Sequence, residues 1–379
     1  MNRLVLIGNG FDLAHGLKTS YKDFIDWYWG QRVNKLMPLH TKENEDILCK
    51  LSIKENKDFP DWFNFFFYQQ RFLKDPLTDK NTYTPQEIIL FFKENPDYFS
   101  MDCSPLLERI MNNIETRGWA DIEIDYYQLL KMTLKPECKF TVNDLNSQLL
   151  FLRDKLVEYL NTMNKGVYNN KLNDKIIEFF NPKDFSTEGK LKASNDIGSD
   201  ASNIEEVKYD VSEREKFIPK QIMMLSFNYT NTALNYGNFN MVHNYIHGEL
   251  TKPKHIIFGY GDELDKNYQN ILDTNDNEML RYAKSVKYLE TSNYRKMLQF
   301  IESAPFQLYI MGHSCGNSDR TLLNTVFEHE NCISIKPFYH ILEDGIDNYL
   351  DIVQNISRNF TDMKKFRDRV VNKEQCETL

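Results

Sequence analysis

The sequence predicts an α/β protein: a Rossmann-like parallel sheet carrying a large, mostly helical insertion after its first βα unit. Two observations predict it. Short apolar runs, each bounded by Gly, Asn or Pro, occur at residues 4–7 and then again at 222–227, 241–246, 255–258, 306–311 and 332–335, the pattern of buried strands. Between the first run and the rest, apolar residues recur three or four apart, which is the spacing of one helix face.

In chain order, Leu4-Val5-Leu6-Ile7 gives the first strand, and Thr19-Ser20 are N-cap residues for a helix carrying Phe24, Ile25, Trp27 and Tyr28. From about residue 40 to 180 the pattern is helical over 86–94, 119–134, 142–163 and 172–180. The third is clearest, with Leu145, Leu149, Leu152, Leu156, Leu160 and Met163 on one side. Lys, Asp, Ser, Asn, Glu and Gly then dominate, which predicts a polar loop or partly disordered linker over 182–219. Two further helices, 293–302 and 318–328, alternate with the late strands. The expected organisation is therefore a nucleotide-binding domain from 1–35 and 220–345, a helical insertion over 36–181, the linker, and a C-terminal helical tail over 346–379.

Composition narrows the function. A chain of 379 residues with net charge −9 and no Lys/Arg cluster argues against a nucleic-acid footprint. No apolar run approaches the ~18 residues that span a bilayer, and the N-terminal run is too short for a signal peptide. The six cysteines are scattered without a C-x-x-C pair, so no zinc module or other metal site is expected, and unpaired thiols fit a cytoplasmic protein.

In doubly wound sheets, ligands sit beyond the carboxyl ends of strands. Polar signatures fall there in Gly8-Asn9-Gly10, in Ser226-Phe227-Asn228-Tyr229-Thr230, in Ile246-His247-Gly248 and in Gly312-His313-Ser314-Cys315-Gly316. Glycines at 8 and 10 remove the Cβ atoms that would block a pyrophosphate. The next glycine of that phrase, Gly16, is too late for G-x-G-x-x-G, and a strand-to-helix turn without ligand reads equally well. Each of the others has a plain alternative too: Asn228 as a helix cap, His247 as a hydrogen-bonded turn residue, Ser314 as an N-cap.

Taken in order, G-N-G-F-D-L-A-H-G-L, S-F-N-Y-T, I-H-G and G-H-S-C resemble the motifs of sirtuin-like NAD-consuming domains. Asn9-Gly10-Phe11-Asp12, Ala14-His15-Gly16-Leu17, Thr19-Ser20-Tyr21, Trp119-Ala120-Asp121-Ile122-Glu123 and Phe227-Asn228-Tyr229-Thr230 resemble the AbiH family, named for bacteriophage abortive infection. Together the resemblances imply antiphage defence by hydrolysis of NAD to nicotinamide and ADP-ribose. Asn228 would orient water or the ribose hydroxyls and His247 would act as general base. Gly8, Asn9, Gly10, Phe11 and Asp12 would hold the cofactor, and Ser314 a phosphate or the adenosine ribose. The four-cysteine zinc module of sirtuin deacetylases is missing, and Tyr21 stands where they carry an arginine; both speak against lysine deacetylation. A phage-derived trigger and a homo-oligomer or accessory protein are the expected partners besides NAD or a related nucleotide.

Asp121 and Glu123 open a predicted helix, where carboxylates complement its N-terminus; the functional alternative has Glu123 or Asp121 reaching from the helical insertion into the cleft to bind ribose hydroxyls. Asp262, beside another glycine loop, has the same two readings. Two rival functions stand. One is a sensor that binds a nucleotide without turnover. The other is a serine esterase, because Gly312-His313-Ser314-Cys315-Gly316 matches the G-x-S-x-G elbow of α/β-hydrolases, with Asp319 and then His329, or Asp319 or Glu328 and then His340, downstream.

Overall fold

A computed structural model of the chain describes residues 2–36, 43–54, 85–117, 121–163, 176, 219, 221–236, 241–341 and 345–379. The strands among them are β1 (Asn2–Ile7), β2 (Glu43–Glu45), β3 (Cys49–Ile53), β4 (Phe99–Cys103), β5 (Ile222–Ser226), β6 (Met241–Tyr245), β7 (Phe306–Met311) and β8 (Cys332–Phe338). The chain divides into two units, Met1–Thr19 with Leu160–Leu379, and Ser20–Tyr159.

The first unit is built on a five-stranded sheet in the order β6-β5-β1-β7-β8, parallel throughout. Numbered by their own sequence this is 3-2-1-4-5, so the order reverses at β1. Central parallel strands are covered on both faces and read as unbroken apolar runs; Leu4, Val5 and Leu6 are accordingly all fully buried. Successive side chains alternate between two cores. Leu4, Leu6, Leu225, Leu308 and Ile310 meet Met297 and Ile301 of the helix Asn293–Ser303 and Leu322, Leu323 and Val326 of the helix Arg320–Phe327. On the opposite face Val5, Ile7, Met224 and Met311 meet Phe11, Ile176 and Tyr236.

Register positions the functional edge. Ile7 pairs with Ser226 and Met311, Ser226 with Tyr245, and Met311 with Phe338. The strands therefore end level, and the loops beginning at Gly8, Phe227, Ile246 and Gly312 leave from one edge. Beyond β8 the C-terminus closes the sheet through single bridges from Ile335 to Val370 and from Tyr339 to Thr378.

Residues 255–258 are not the strand expected. The segment leaves a short 3₁₀ turn, Pro253–His255, as irregular chain. Its Ile256, Ile257 and Phe258 are apolar because they are buried, and the Ile257 N–H donates to the His247 carbonyl at 2.9 Å.

The second unit holds the helices Tyr21–Leu36, Pro85–Glu94, Pro105–Arg117 and Ile122–Met132 and most of Val142–Met163. Ser20 caps the first of these, its Oγ accepting from the Asp23 N–H at 3.1 Å. Leu145, Leu149, Leu152, Leu156 and Leu160 form the buried stripe that their spacing predicts. The unit also carries an antiparallel sheet, β2-β3-β4, which the helical reading of this region did not include. Its strands are three to five residues long, too short for alternation to stand out. The expected helix over 172–180 and the linker over 182–219 lie outside the described residues, apart from Ile176 and Pro219.

Candidate functional site

His247 sits two residues beyond β6 and is 4% exposed. Its Nε2 lies 3.1 Å from Oδ1 of Asp319 and 3.2 Å from the Tyr288 hydroxyl. The same Asp319 oxygen accepts from Nζ of Lys284 at 2.8 Å, and Lys284 is 1% exposed. Oδ2 of Asp319 faces Nε2 of His313 at 3.5 Å. Because the Cys315 N–H donates to Nδ1 of His313 at 3.0 Å, that ring carries its proton on Nε2, the nitrogen turned to Asp319. One buried carboxylate thus gathers a lysine and two imidazoles, with Phe227 set edge-on to His247 and 4.2 Å from the His313 ring centre.

Electrostatics follow from this geometry. Burial favours the neutral acid at Asp319, but the Lys284 cation and the bonds from His247 and His313 outweigh it and hold the carboxyl well below the usual range. Burial, reinforced by Lys284 and opposed by Asp319, lowers His247 to about 4. At neutral pH His247 is therefore an uncharged imidazole whose Nε2–H donates to an ionised Asp319. Its Nδ1 keeps the lone pair and has no hydrogen-bond partner among the described residues. An imidazole oriented by a buried carboxylate is the general-base arrangement of hydrolytic triads.

Asn228 comes to the same sheet edge from β5. Its Nδ2 donates to the Gly8 carbonyl at 2.9 Å, tying β5 to the glycine loop; it caps no helix. Asp12 is buried beside it, with one carboxylate oxygen 2.5 Å from the Thr230 hydroxyl. Burial raises Asp12 above the ordinary carboxyl value against bonds from Thr230, Thr232 and Asn228 that lower it. Phe11 lies in the core with Tyr236, and Asn9 is exposed.

The glycines do their work against protein. A Cβ on Gly8 would strike the backbone of Gly312 and His313, one on Gly10 would come 2.8 Å from the Gly312 Cα, and one on Gly312 would strike Phe11 and Gly10. Gly8 N–H bonds the Met311 carbonyl, Gly10 N–H the Gly312 carbonyl and Phe11 N–H the Gly8 carbonyl. The loops after β1 and β7 are thus joined by backbone contact at the point where the strand order reverses.

Ser314 is exposed on the β7 loop, its carbonyl accepting from Asn355 at 2.9 Å. The hydrolase elbow does not assemble around it with His329, whose ring lies against Phe306 at the start of β7, roughly 17 Å of strand away. The left-handed residues of the loop are Gly312, φ 72°, and Cys315, φ 54°, rather than the serine. His340 follows the end of β8, its N–H on Oδ1 of Asn348. Asp319, expected only as the acid of that elbow, serves His247 instead.

Asp262 is buried with Arg320 at 3.4 Å. In the second unit, Asp121 is an N-cap, its Oδ1 accepting from Glu123 and Ile124 N–H groups at 3.1 Å each, and Glu123 is buried in the first turn it caps. Lys284 and Tyr288 carried no sequence signal, since they lie in a stretch without motif or glycine loop.

Among the described residues no helix is long and apolar enough to cross a membrane. No curated protein and no solved structure matches the chain. The family model described as bacteriophage abortive infection AbiH matches residues 4–340, which span both units, β1 and the loops that carry Asn228, His247 and Asp319: the chain belongs to the AbiH family.

Proposed function

We propose that this AbiH protein serves antiphage abortive infection by hydrolysing the nicotinamide–ribose bond of NAD. The observation that carries the reading is the His247–Asp319 pair, held at the carboxyl edge of a parallel sheet whose 3-2-1-4-5 order is that of doubly wound nucleotide-binding sheets.

Cleavage passes through an oxocarbenium-like state at the ribose carbon, so positioning and charge stabilisation are the protein's tasks. Nδ1 of His247 takes the proton of the attacking water as the C–O bond forms and the C–N bond to nicotinamide breaks. The electron pair of that bond leaves with nicotinamide, and the imidazolium formed is balanced by Asp319 through Nε2–H. Asn228, with Nδ2 committed to Gly8, offers its Oδ1 to the water or a ribose hydroxyl. With the N–H groups of Gly8, Gly10 and Phe11 spent inside the protein, the pyrophosphate and adenosine end rest on Asn9 and Ser314. Gly8, Gly10, Phe11 and Asp12 hold the shape of that loop.

The test is nicotinamide release from NAD by the purified full chain. His247→Ala and Asp319→Asn each reduce release at least a hundredfold, whereas Ser314→Ala acts chiefly on KM. Release at the wild-type rate by both His247→Ala and Asp319→Asn sinks the assignment. NAD binding that is retained without any release, in wild type as in variants, supports the sensor.

A further inference from the structure

Two cysteines that play no part in this site face each other in the second unit. β3 and β4 pair antiparallel with Cys49 directly opposite Cys103. The Ser104 N–H bonds the Leu48 carbonyl, and the Lys54 N–H the Tyr98 carbonyl, so the hydrogen-bonded pairs fall on the even-numbered residues of β3. Cys49 and Cys103 are therefore a non-hydrogen-bonded pair, the class in which Cα atoms approach to about 4.5 Å and side chains come closest. That separation lies within the range a disulfide spans. The two Sγ atoms are 3.2 Å apart, both free thiols.

The surroundings fix this meeting. Arg32 donates to the carbonyls of Cys49 and Asn44 and pairs with Asp46 at 3.0 Å. Oδ1 of Asp46 in turn accepts from the N–H groups of Leu48 and Cys49 at 2.9 and 3.0 Å. The backbone entering β3 is thus clamped from both sides. Cys49 is buried and Cys103 half-buried, so oxidant reaches the second sulfur first.

We propose that Cys49 and Cys103 are an oxidisable dithiol, a site at which peroxide-class oxidants write a reversible cross-strand disulfide. The Cys103 sulfur attacks a peroxide oxygen, the O–O bond breaks, and one water leaves with a sulfenic acid on Cys103. The Cys49 sulfur then attacks the Cys103 sulfur, the S–O bond breaks, and a second water carries away the Cys49 proton. Two thiols are oxidised and one peroxide is reduced to two waters; a dithiol reductant reverses the step. The residues joined are 54 apart in sequence, a loop long enough for the crosslink to restrict the unfolded chain substantially.

The experiment treats the reduced full chain with hydrogen peroxide, quenches it, unfolds it and alkylates the remaining thiols. Of the six cysteines, label is lost at two, peptide mapping joins the Cys49 peptide to the Cys103 peptide, and dithiothreitol restores both. The oxidised chain also melts higher by roughly 5 °C or more. Cys49→Ser and Cys103→Ser abolish the linkage; the wild-type mapping decides the matter even if either variant folds poorly. Full labelling after peroxide, sulfinic acid at Cys103 with Cys49 still free, or a link between other cysteines would overturn the proposal.

Discussion

Oδ1 of Asp319 lies within hydrogen-bond reach of both His247 and Lys284, at 3.1 and 2.8 Å, with all three side chains buried. The carboxylate has two jobs that substitution can separate. Asp319→Asn leaves the Lys284 cation without its anion and destabilises the fold by roughly 3 kcal/mol, read by urea unfolding. Lys284→Met with Asp319→Leu replaces the ion pair by apolar volume and restores most of that stability, yet leaves His247 unoriented and inactive. Recovery of activity together with stability in the double variant contradicts a positioning role.

Stability has an acid limb set by His247. Its folded value of about 4 lies below the ordinary 6.5. Between these values the unfolded chain binds a proton that the folded chain refuses, so stability falls as pH drops from about 6.5 to 4 and the loss is complete below. The group accounts for roughly 3 kcal/mol over that window. Asp319, held below its ordinary value, adds a further loss only at lower pH. Urea midpoints measured across pH 4–7 test this: His247→Gln flattens the upper part of the slope, and an unchanged slope counts against the assignment.

The glycines divide by what surrounds them. Gly312 has φ +72° and no room for a Cβ against Phe11 and Gly10, whereas Gly16 has φ +76° with nothing within 4 Å. Gly16→Ala costs only backbone strain, about 1 kcal/mol. Gly312→Ala adds a backbone collision and costs about 3 kcal/mol or more. Thermal melts of the two variants check the difference; equal shifts would mean that the loops after β1 and β7 are not locked together.

The last three residues close the β8 edge. Glu377 pairs with buried Lys336 at 3.2 Å, Tyr339 exchanges backbone bonds with Glu377 and Leu379, and Leu379 packs on the second core. Removing 377–379 lowers the melting temperature by roughly 5 °C, and Glu377→Gln by less. A truncated chain that melts with the full one refutes this closure.

Much of the first unit is legible in the sequence because parallel strands buried on both faces leave unbroken apolar runs. Residues 306–311 coincide with β7, and 222–227 overrun β5 by one residue. Residues 255–258 carry a run of the same character, yet Ile256, Ile257 and Phe258 form buried irregular chain, and β2–β4 are too short to show a period. For the site, the motif order placed His247 and Asn228 at one edge, since strand ends can be read from apolar runs. It could not reveal which side chains converge on His247. Lys284 comes from a crossover in which no motif singles it out, and Asp319 reaches His247 only through the parallel pairing of β7 with β1, of β1 with β5 and of β5 with β6.

NAD content measured in infected cells tests most directly the proposed consumption of NAD by His247 oriented by Asp319, with cells expressing the wild type compared with cells expressing Asp319→Asn at equal protein level. NAD falls after infection with the wild type and holds with Asp319→Asn, which also fails to protect. Protection by the wild type while NAD stays constant would contradict it.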